Sequence, residues 1–254
     1  MLHILSCNIA EAVIIDCPTS IAATRDLAGW IKGTLPAGCA LKLFLATHAH
    51  GDHFFGFPGV EVQYAPELYE GLRKVGFPPS PSGTGLPERR VDFRPLPEFN
   101  QIDLGDGQVI KVHDIQHAGT HYSSYAHVPG LDFVVAGDIV YNGDCYQYLA
   151  EANTTERRDK WIRAVSEIAS LDPKIVIPGH SFHVRTGPDV RYARAMLESN
   201  SEYIRGFEEE LAKVSDAAEL FQLMRRRFNR WNLWILKQSC EAAFGVGALC
   251  PSEV

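Results

Sequence analysis

The sequence predicts an α/β fold with a helical C-terminal flank, and three observations point to it. Short apolar, β-prone runs dominate the first half of the 254-residue chain. Amphipathic helical patterns separate several of these runs, and from Pro188 onward the pattern is helical. Strands that alternate with helices are typical of a parallel sheet with helical crossovers, so we expect an α/β domain with helices appended to it.

The first strand–helix–strand unit lies near the start of the chain. Ala12–Asp16 and Leu41–Ala46 are apolar runs bounded by turn-forming residues and are predicted strands. Ile21–Lys32 between them has the spacing of an amphipathic helix, with Thr19 or Ser20 as the predicted N-cap. This order predicts a parallel strand pair joined by a helical crossover.

The middle of the chain is predicted to hold a short helix near Ala65–Val75 and a loop at Phe77–Leu86. The loop contains three prolines and two glycines, and such long loops often border a binding site. Further strands are predicted at Val109–Asp114, Tyr125–His127, Phe133–Ala136 and Lys174–Ile177, and helices at Thr155–Ser170, 189–213, 215–228 and 231–242. The predicted organisation is one α/β domain over residues 1–186 and a helical extension over 187–254 that packs on the same domain.

Charge and hydropathy exclude two classes of partner. The net charge is −7, and residues 1–154 hold 9 lysines and arginines against 17 acidic residues. Phosphate contacts normally need lysine or arginine, so this acidic part disfavours nucleic acid. The run Arg225–Arg227 with Arg230 lies in a helical pattern beside Glu208–Glu210 and is interpreted as a solvated helix face. No apolar run approaches the roughly 20 residues of a membrane helix, so we expect no membrane partner either.

Two features bear on the cellular location. Met1–Ser6 shows neither a basic leader nor a long apolar stretch, which favours a cytoplasmic protein over a secreted one. The six cysteines are scattered without a CxxC pair. Reduced thiols are therefore expected.

The strongest local pattern is Thr47–His53, with the sequence THAHGDH. Alternate side chains of an extended segment point the same way, so His48 and His50 can bind one metal ion together. A glycine then allows a tight turn, after which Asp52 and His53 face a second ion. The alternative is a loop whose polar side chains are merely solvated.

Two imidazoles do not complete a catalytic zinc site, so further ligands are expected later in the chain. His121 lies in the stretch HAGTH, and Asp138 follows the predicted strand Phe133–Ala136. His180 follows Lys174–Ile177 in the same way. Loops at strand ends are where the ligands of α/β folds gather.

Together, the HxHxDH stretch, the Gly-x-His element, Gly-Asp and Gly-His resemble the metallo-β-lactamase superfamily from about Ala12 to about His180. The resemblance implies an αββα sandwich with two divalent metal ions, expected to be Zn²⁺, at one edge of its two sheets. The implied first-ion ligands are His48, His50 and His121, the second-ion ligands are Asp52, His53 and His180, and Asp138 bridges both ions.

The resemblance also implies a reaction. Two adjacent divalent ions generate a hydroxide that attacks a carbonyl carbon, while one ion polarises the carbonyl oxygen. Asp52 is the predicted catalytic residue that orients the nucleophile and passes on a proton. The predicted function is therefore a binuclear, zinc-dependent hydrolase with a small-molecule carbonyl substrate.

Tyr141, three residues after Asp138, favours a lactonase or lactamase within the superfamily. Quorum-quenching lactonases have a tyrosine at this offset, where its hydroxyl can bond the substrate carbonyl or the oxyanion. Tyr141 is accordingly the second predicted catalytic residue, and packing beneath the strand is its alternative role. Classical secreted β-lactamases have an arginine at the position of His53 and a cysteine at that of Asp138, so this chain differs from them.

Two other functions remain as alternatives. A thioesterase of the glyoxalase II type would use basic residues of the C-terminal helices, for which Arg191, Arg194 and Arg205 are available. A catalytically idle binding protein on the same scaffold is the third candidate. It is disfavoured because all seven ligand positions are filled.

Several other residues lie near the motifs. By analogy with the family, His117 is predicted to orient a ligand loop from behind the ligands. His113, His127 and His183 are explained equally well as surface or core histidines, and Cys145 is interpreted as a plain loop thiol.

A large apolar cluster in the C-terminal flank comprises Trp231, Leu233, Trp234, Ile235 and Leu236. Burial in the chain's own core is the first interpretation of this cluster, and a homodimer contact through the C-terminal helices is the second. At the other end of the chain, the family's fold usually begins with a strand pair well before Ala12. Few residues precede Ala12 here, so we expect either that the first sheet lacks a strand or that the start of the sequence is truncated or mis-assigned.

Overall fold

The computed structural model describes residues 3–6, 11–56, 96, 98–105, 107–183 and 190–246. The predicted helix near Ala65–Val75 and the predicted loop Phe77–Leu86 lie outside these ranges. The described residues form two compact units. The first comprises those up to His113 together with Ala126–Gly130, and the second comprises Asp114–Tyr125 and those from Leu131 onward. The predicted boundary near residue 186 stays a prediction.

The first unit contains a three-stranded sheet with the order β1–β2–β3. Strand β1 (His3–Ser6) runs antiparallel to β2 (Glu11–Ile15), so a strand does precede Ala12. Strand β3 (Ala40–Leu45) pairs in parallel with β2, and helix α1 (Ile21–Thr34) connects them. The parallel pair, its crossover helix and the Ser20 N-cap are confirmed, since the Ser20 side chain accepts a hydrogen bond from the Ala23 N–H at 3.2 Å.

A second sheet has five strands in the order β4–β5–β6–β7–β8. Its strands are β4 (Gln101–Gly105), β5 (Gln108–Ala118), β6 (Thr120–Val128), β7 (Phe133–Tyr141) and β8 (Ile175–His180). Strands β4 and β5 are antiparallel, whereas β7 and β8 are parallel and are connected by helix α2 (Thr155–Ser170). Short 3₁₀ turns lie at Gly51–His53, Glu98–Asn100 and Pro129–Leu131.

Strand β7 is longer than predicted, and this corrects the position of one candidate ligand. The sequence placed Asp138 after a strand that ends at Ala136, but the strand continues through Gly137 to Tyr141. Its pairing with β8 shifts register on both sides of Gly137, whose φ is 50°. A bulge at a glycine therefore extends the strand where a stop was expected.

The second unit also contains the helices α3 (Val190–Leu211), α4 (Ala217–Arg227) and α5 (Leu233–Ala243). All three agree closely with the predicted helical flank. On α2, Trp161, Val165 and Ile168 follow the helical spacing of one apolar face and are fully buried. They join a core that includes Tyr203 and Phe207 from α3.

The expectation that the C-terminal apolar cluster is buried was wrong for three of its five residues. Leu236 is fully buried, but Trp231, Leu233 and Trp234 are 53%, 44% and 60% exposed. Helix α5 begins at Leu233 and turns the face of Leu236 and Cys240 inward, so side chains at the helix start point outward. A homodimer contact through these helices stays a prediction.

Two further observations concern the classes considered from the sequence. Among the described residues, no helix is long and apolar enough to cross a membrane. The four described cysteines, Cys17, Cys39, Cys145 and Cys240, are all thiols. Burial and the neighbouring carboxylate of Asp144 raise the pKa of Cys145 to about 12, which favours an inert thiol over a nucleophile.

Candidate functional site

The candidate ligands of the first unit follow the carboxyl end of β3. Because β2 and β3 are parallel, their carboxyl ends lie at one edge of the sheet, and Asp16 leaves β2 beside the start of the THAHGDH segment. The Asp16 N–H donates to the Leu45 carbonyl at 2.8 Å, and the Cys17 N–H donates to the His53 carbonyl at 2.8 Å. The backbone thus ties both ends of this segment to the residues after β2.

Asp16 is the organising residue of this segment, although the sequence did not single it out. Its side chain is 2% exposed, and it accepts hydrogen bonds from the Thr47 N–H at 2.8 Å and the Thr47 hydroxyl at 2.9 Å. The same carboxylate lies 2.8 Å from Nδ1 of His53. Burial acts to raise the pKa of Asp16, but the charge of His53 and its hydrogen bond outweigh burial and lower it.

These contacts determine which ring nitrogen of each histidine carries hydrogen. A carboxylate only accepts, so Nδ1 of His53 must donate to Asp16. The Thr47 hydroxyl gives its hydrogen to Asp16, so its oxygen accepts from Nδ1 of His48 at 3.0 Å. In the neutral form of both rings, Nε2 therefore keeps the lone pair that a metal ion needs.

The other two candidate ligands of this unit lie close by. The ring of His48 lies 4.1 Å from that of His53 and 4.7 Å from that of His50, measured between ring centroids. The 3₁₀ turn Gly51–His53 places Asp52 next to His53, with 3.8 Å between Oδ2 and Nε2. The Asp52 side chain is 46% exposed, so it can exchange protons with solvent while lying beside the ligands.

In the second unit, Asp138 and His180 come together at the paired strands β7 and β8. Oδ1 of Asp138 lies 3.4 Å from Nε2 of His180, and Asp138 is 5% exposed. Gly179 makes this approach possible, because a Cβ there would overlap the Asp138 carboxylate and lie 2.7 Å from the Gly137 carbonyl carbon. His180 is the last residue of β8, so this strand also continues beyond its predicted end.

Tyr141 contacts both of these residues. Its hydroxyl donates to Oδ2 of Asp138 at 2.6 Å, and its ring stacks on that of His180 with centroids 5.2 Å apart. Asn200 on α3 holds the Tyr141 backbone, accepting from its N–H at 2.8 Å and donating to its carbonyl at 2.6 Å. The tyrosine is 3% exposed, and both its side chain and its backbone are held by these contacts.

His121, the remaining candidate ligand, is an exposed residue of β6 just after the tight turn at Gly119. Its ring lies 4.7 Å from that of His117, between centroids. The buried His117 donates from Nε2 to the Glu151 carbonyl at 3.2 Å, and the Glu151 carboxylate accepts from the Thr120 hydroxyl. Glu151 thus braces both sides of the turn that carries His121.

His117 is accordingly in a position to support the turn, as predicted, without reaching solvent. Burial, followed by the positive charges of His121 and Arg157, lowers the pKa of His117 to about 4. The other histidines lie apart from these contacts: the rings of His113 and His127 face each other at 6.1 Å, and His183 packs edge-on against Phe182.

Comparison with known proteins decides the family. The model of the metallo-β-lactamase superfamily matches residues 10–180, which include all seven candidate ligands. The chain belongs to the metallo-β-lactamase superfamily. Membership supports a metal-binding hydrolase, since the superfamily generally binds divalent metal ions. No curated protein sequence matches the chain.

Solved structures of the superfamily share the fold. The metallo-β-lactamase DIM-1 is 21% identical, with a TM-score of 0.57, and the match covers 80% of this chain and 86% of that one. A metallo-β-lactamase from Pontibacter korlensis is 20% identical, with a TM-score of 0.57 and coverages of 80% and 85%. A family protein from Thermus thermophilus is 18% identical, with a TM-score of 0.63 and coverages of 95% and 86%. At these identities the likeness shows the fold alone, and it confirms the α/β fold of the metallo-β-lactamase type.

Proposed function

We propose that this chain is a metal-dependent hydrolase that opens a small lactone or lactam, with two divalent metal ions, expected to be zinc, at its active centre. The proposal assigns the seven candidate ligands to this centre: His48, His50 and His121 to the first ion, Asp52, His53 and His180 to the second, and Asp138 to both. The family match and the donor chemistry support the assignment, because neutral imidazoles and carboxylates are the ligands of catalytic zinc.

The observation that carries the proposal is the hydrogen bonding behind His48 and His53. Asp16 and Thr47 hold Nδ1 of both rings as donors, which is how metal-binding histidines are oriented in proteins. When bound, two divalent ions supply an activated water and polarise a carbonyl oxygen.

Asp52 is proposed to manage the proton. Its carboxylate lies next to His53 and is about half exposed, so it can orient a water molecule and accept its proton. The same group can then pass the proton to the leaving oxygen or nitrogen of the opened ring. The proton taken from the attacking water thus ends on the leaving atom, and the step balances.

Tyr141 supports a lactone or lactam as the substrate. Its hydroxyl lies 2.6 Å from Asp138, the residue that the proposal assigns to both ions. In the proposed reaction the O–H bond rotates so that its hydrogen leaves Asp138 and bonds the oxygen on which negative charge develops, while the buried ring stays in place. A preorganised donor of this kind stabilises the transition state more than the ground state.

Two of the arginines considered for the thioesterase alternative, Arg194 and Arg205, line a cleft that they share with Asp172 and Glu198, and these acidic side chains disfavour an anionic substrate group there. Arg194, one of the arginines considered for it, pairs with Asp172 at 3.3 Å on the surface. The absence of nucleic-acid and membrane partners, and the cytoplasmic location, stay predictions.

The test is a comparison of hydrolysis rates on zinc-loaded protein. A panel of lactones and lactams is compared with a panel of thioesters, with His121→Ala as the inactive blank and His183→Ala as the control for loss of an exposed histidine. We expect faster ring opening, abolished in His121→Ala and unchanged in His183→Ala. A preference for thioesters would overturn the substrate assignment, and equal rates in both variants would overturn the metal-dependent mechanism.

A further inference from the structure

We propose that a cleft in the second unit binds a small organic anion that carries an aromatic or apolar group. The cleft has a volume of about 430 Å³ and lies between the end of α4 and the start of α5. Its lining includes Arg225, Arg230, Tyr146 and Trp231. None of the candidate metal ligands lines it, so this site goes beyond the proposed hydrolase activity.

Arg230 brings a partly buried positive charge to the cleft. Its guanidinium lies between aromatic rings, 4.6 Å from the centroid of Tyr203 and 5.3 Å from that of Phe228. Its Nη1 donates to the Cys145 carbonyl at 3.3 Å, and its Nη2 donates to the carbonyl and hydroxyl oxygens of Ser199 at 3.2 and 2.8 Å. All of these acceptors are neutral, so they hold the group in place without neutralising its charge.

Arg225 adds a second charge to the same cleft. Its guanidinium packs over the Phe221 ring at 5.9 Å. Burial raises the pKa of Tyr146, whereas the charges of Arg225 and Arg230 both act to lower it, so both guanidinium groups lie near this tyrosine. Two like charges directed at one cleft repel each other, and an anion between them would remove this repulsion.

Two other arginines of this unit are paired with carboxylates. Arg227 pairs with Glu209 at 2.6 Å and with Glu210 at 2.9 Å, and the buried Arg158 pairs with Glu208 at 2.5 Å. Within the part of the chain that the structure describes, neither Arg225 nor Arg230 has a carboxylate within 4.0 Å. Arg225 is exposed and can turn its charge to a ligand, whereas Arg230 is fixed in the wall of the cleft, with the charge of Glu202 acting on it from more than 4.0 Å away.

The rest of the lining indicates the class of ligand. Asn229 and Asn232 add amide groups, and no lining residue described for the cleft is acidic. Trp231 and Leu233, 53% and 44% exposed, form an apolar wall. The lining fits a ligand with two parts: a carboxylate or phosphate that lies between the arginines, and a flat apolar group that packs on Trp231. The volume is suitable for a small molecule of this kind.

The experiment follows the indole N–H signals of the metal-loaded, ¹⁵N-labelled protein by NMR. Phenyl phosphate, phenylacetate and neutral 2-phenylethanol are titrated in turn, and the signals of the four tryptophans are assigned by substitution. We expect both anions to shift the Trp231 signal in a saturable way while that of Trp30 stays in place, and 2-phenylethanol to have no effect. The relative affinities of the two anions distinguish a phosphate from a carboxylate ligand.

Arg225→Gln and Arg226→Gln form the matched pair, since both arginines are exposed on α4 and only Arg225 lines the cleft. Loss of one charge-assisted contact should raise the Kd of either anion about tenfold in Arg225→Gln and leave it unchanged in Arg226→Gln. Equal affinity in Arg225→Gln and the unmodified chain would mean that the anions bind elsewhere and would overturn the proposal. An equal shift with 2-phenylethanol would overturn the anion assignment.

Discussion

Replacement of Asp16 by asparagine should weaken metal binding without disrupting the fold. Asparagine has nearly the same shape, and it tolerates the left-handed backbone of this position, where φ is 59°. The change converts one carboxylate oxygen into an NH₂ donor. Oδ2 of Asp16 now receives hydrogen bonds from the Thr47 hydroxyl at 2.9 Å and from His53 Nδ1 at 2.8 Å.

With an amide in this place, the direction of both hydrogen bonds reverses. His53 must accept at Nδ1 and carry its hydrogen on Nε2, and the Thr47 hydroxyl must donate to Nδ1 of His48. Both Nε2 atoms then lose the lone pair that would bind metal. The opposite orientation of the amide does not avoid this reversal without cost. Its NH₂ group would then face the Thr47 N–H, which donates to Oδ1 of Asp16 at 2.8 Å in the unmodified chain.

The expected loss of zinc affinity is about 10- to 100-fold, the range for removal of a partner that orients a ligand. It is measured by competition with a chromophoric chelator, and thermal unfolding of the metal-free protein reports on the fold. Asp26→Asn on the exposed face of α1 is the matched control and should leave affinity unchanged. An Asp16→Asn protein that is folded and binds zinc as tightly as the unmodified chain would refute the role of Asp16.

Three further outcomes are expected. Tyr141→Phe should lower turnover about tenfold with metal content unchanged, because it removes only the hydroxyl on Asp138; unchanged turnover would contradict its role. Gly179→Ala should reduce metal content, measured by elemental analysis, because the new Cβ displaces the Asp138 carboxylate, and full metal content would show that the strands accommodate it. His117, whose pKa is lowered to about 4, stays neutral in the folded state while the unfolded state gains a proton below about pH 6.5, so stability falls as the pH falls. Between pH 7 and pH 4 the free energy of unfolding should fall by about 3 kcal/mol through His117. Urea unfolding of the metal-free protein measures this fall, and the His117→Gln variant should not show it. The same pH dependence in the variant and the unmodified chain would contradict the assignment.

Local patterns predicted most of the fold. Thr155–Ser170 was predicted with its observed bounds, because Thr154 caps the first turn by accepting from the Arg157 N–H and the apolar spacing continues to Ile168. The parallel pair of β2 and β3 followed from the order strand, helix, strand. The outward position of Trp231 and Trp234 did not follow from the sequence, since an apolar run at a helix start does not show which side is packed.

The candidate site was predicted as a set of ligands, and its supporting contacts were not. Asp16 and Thr47 are 31 residues apart, and only the parallel pairing of β2 and β3 brings them together. An acidic residue at the end of a buried strand was the signal that could have found Asp16. The contact of Tyr141 with Asp138 was equally hidden, because residues three apart in a regular strand lie on opposite faces, and the shift of register after Gly137 is needed to bring them together.

The proposed active centre holds two metal ions per chain, and this number can be measured by counting the metal bound to the protein. Zinc is measured by mass spectrometry after dialysis for the unmodified chain, His53→Asn, His180→Asn and the double variant, with His183→Asn as the control. We expect two ions in the unmodified chain and the control, one in each single variant, and still one in the double variant, because His53 and His180 are assigned to the same ion. A double variant without zinc, or an unmodified chain with fewer than two ions, would contradict the claim.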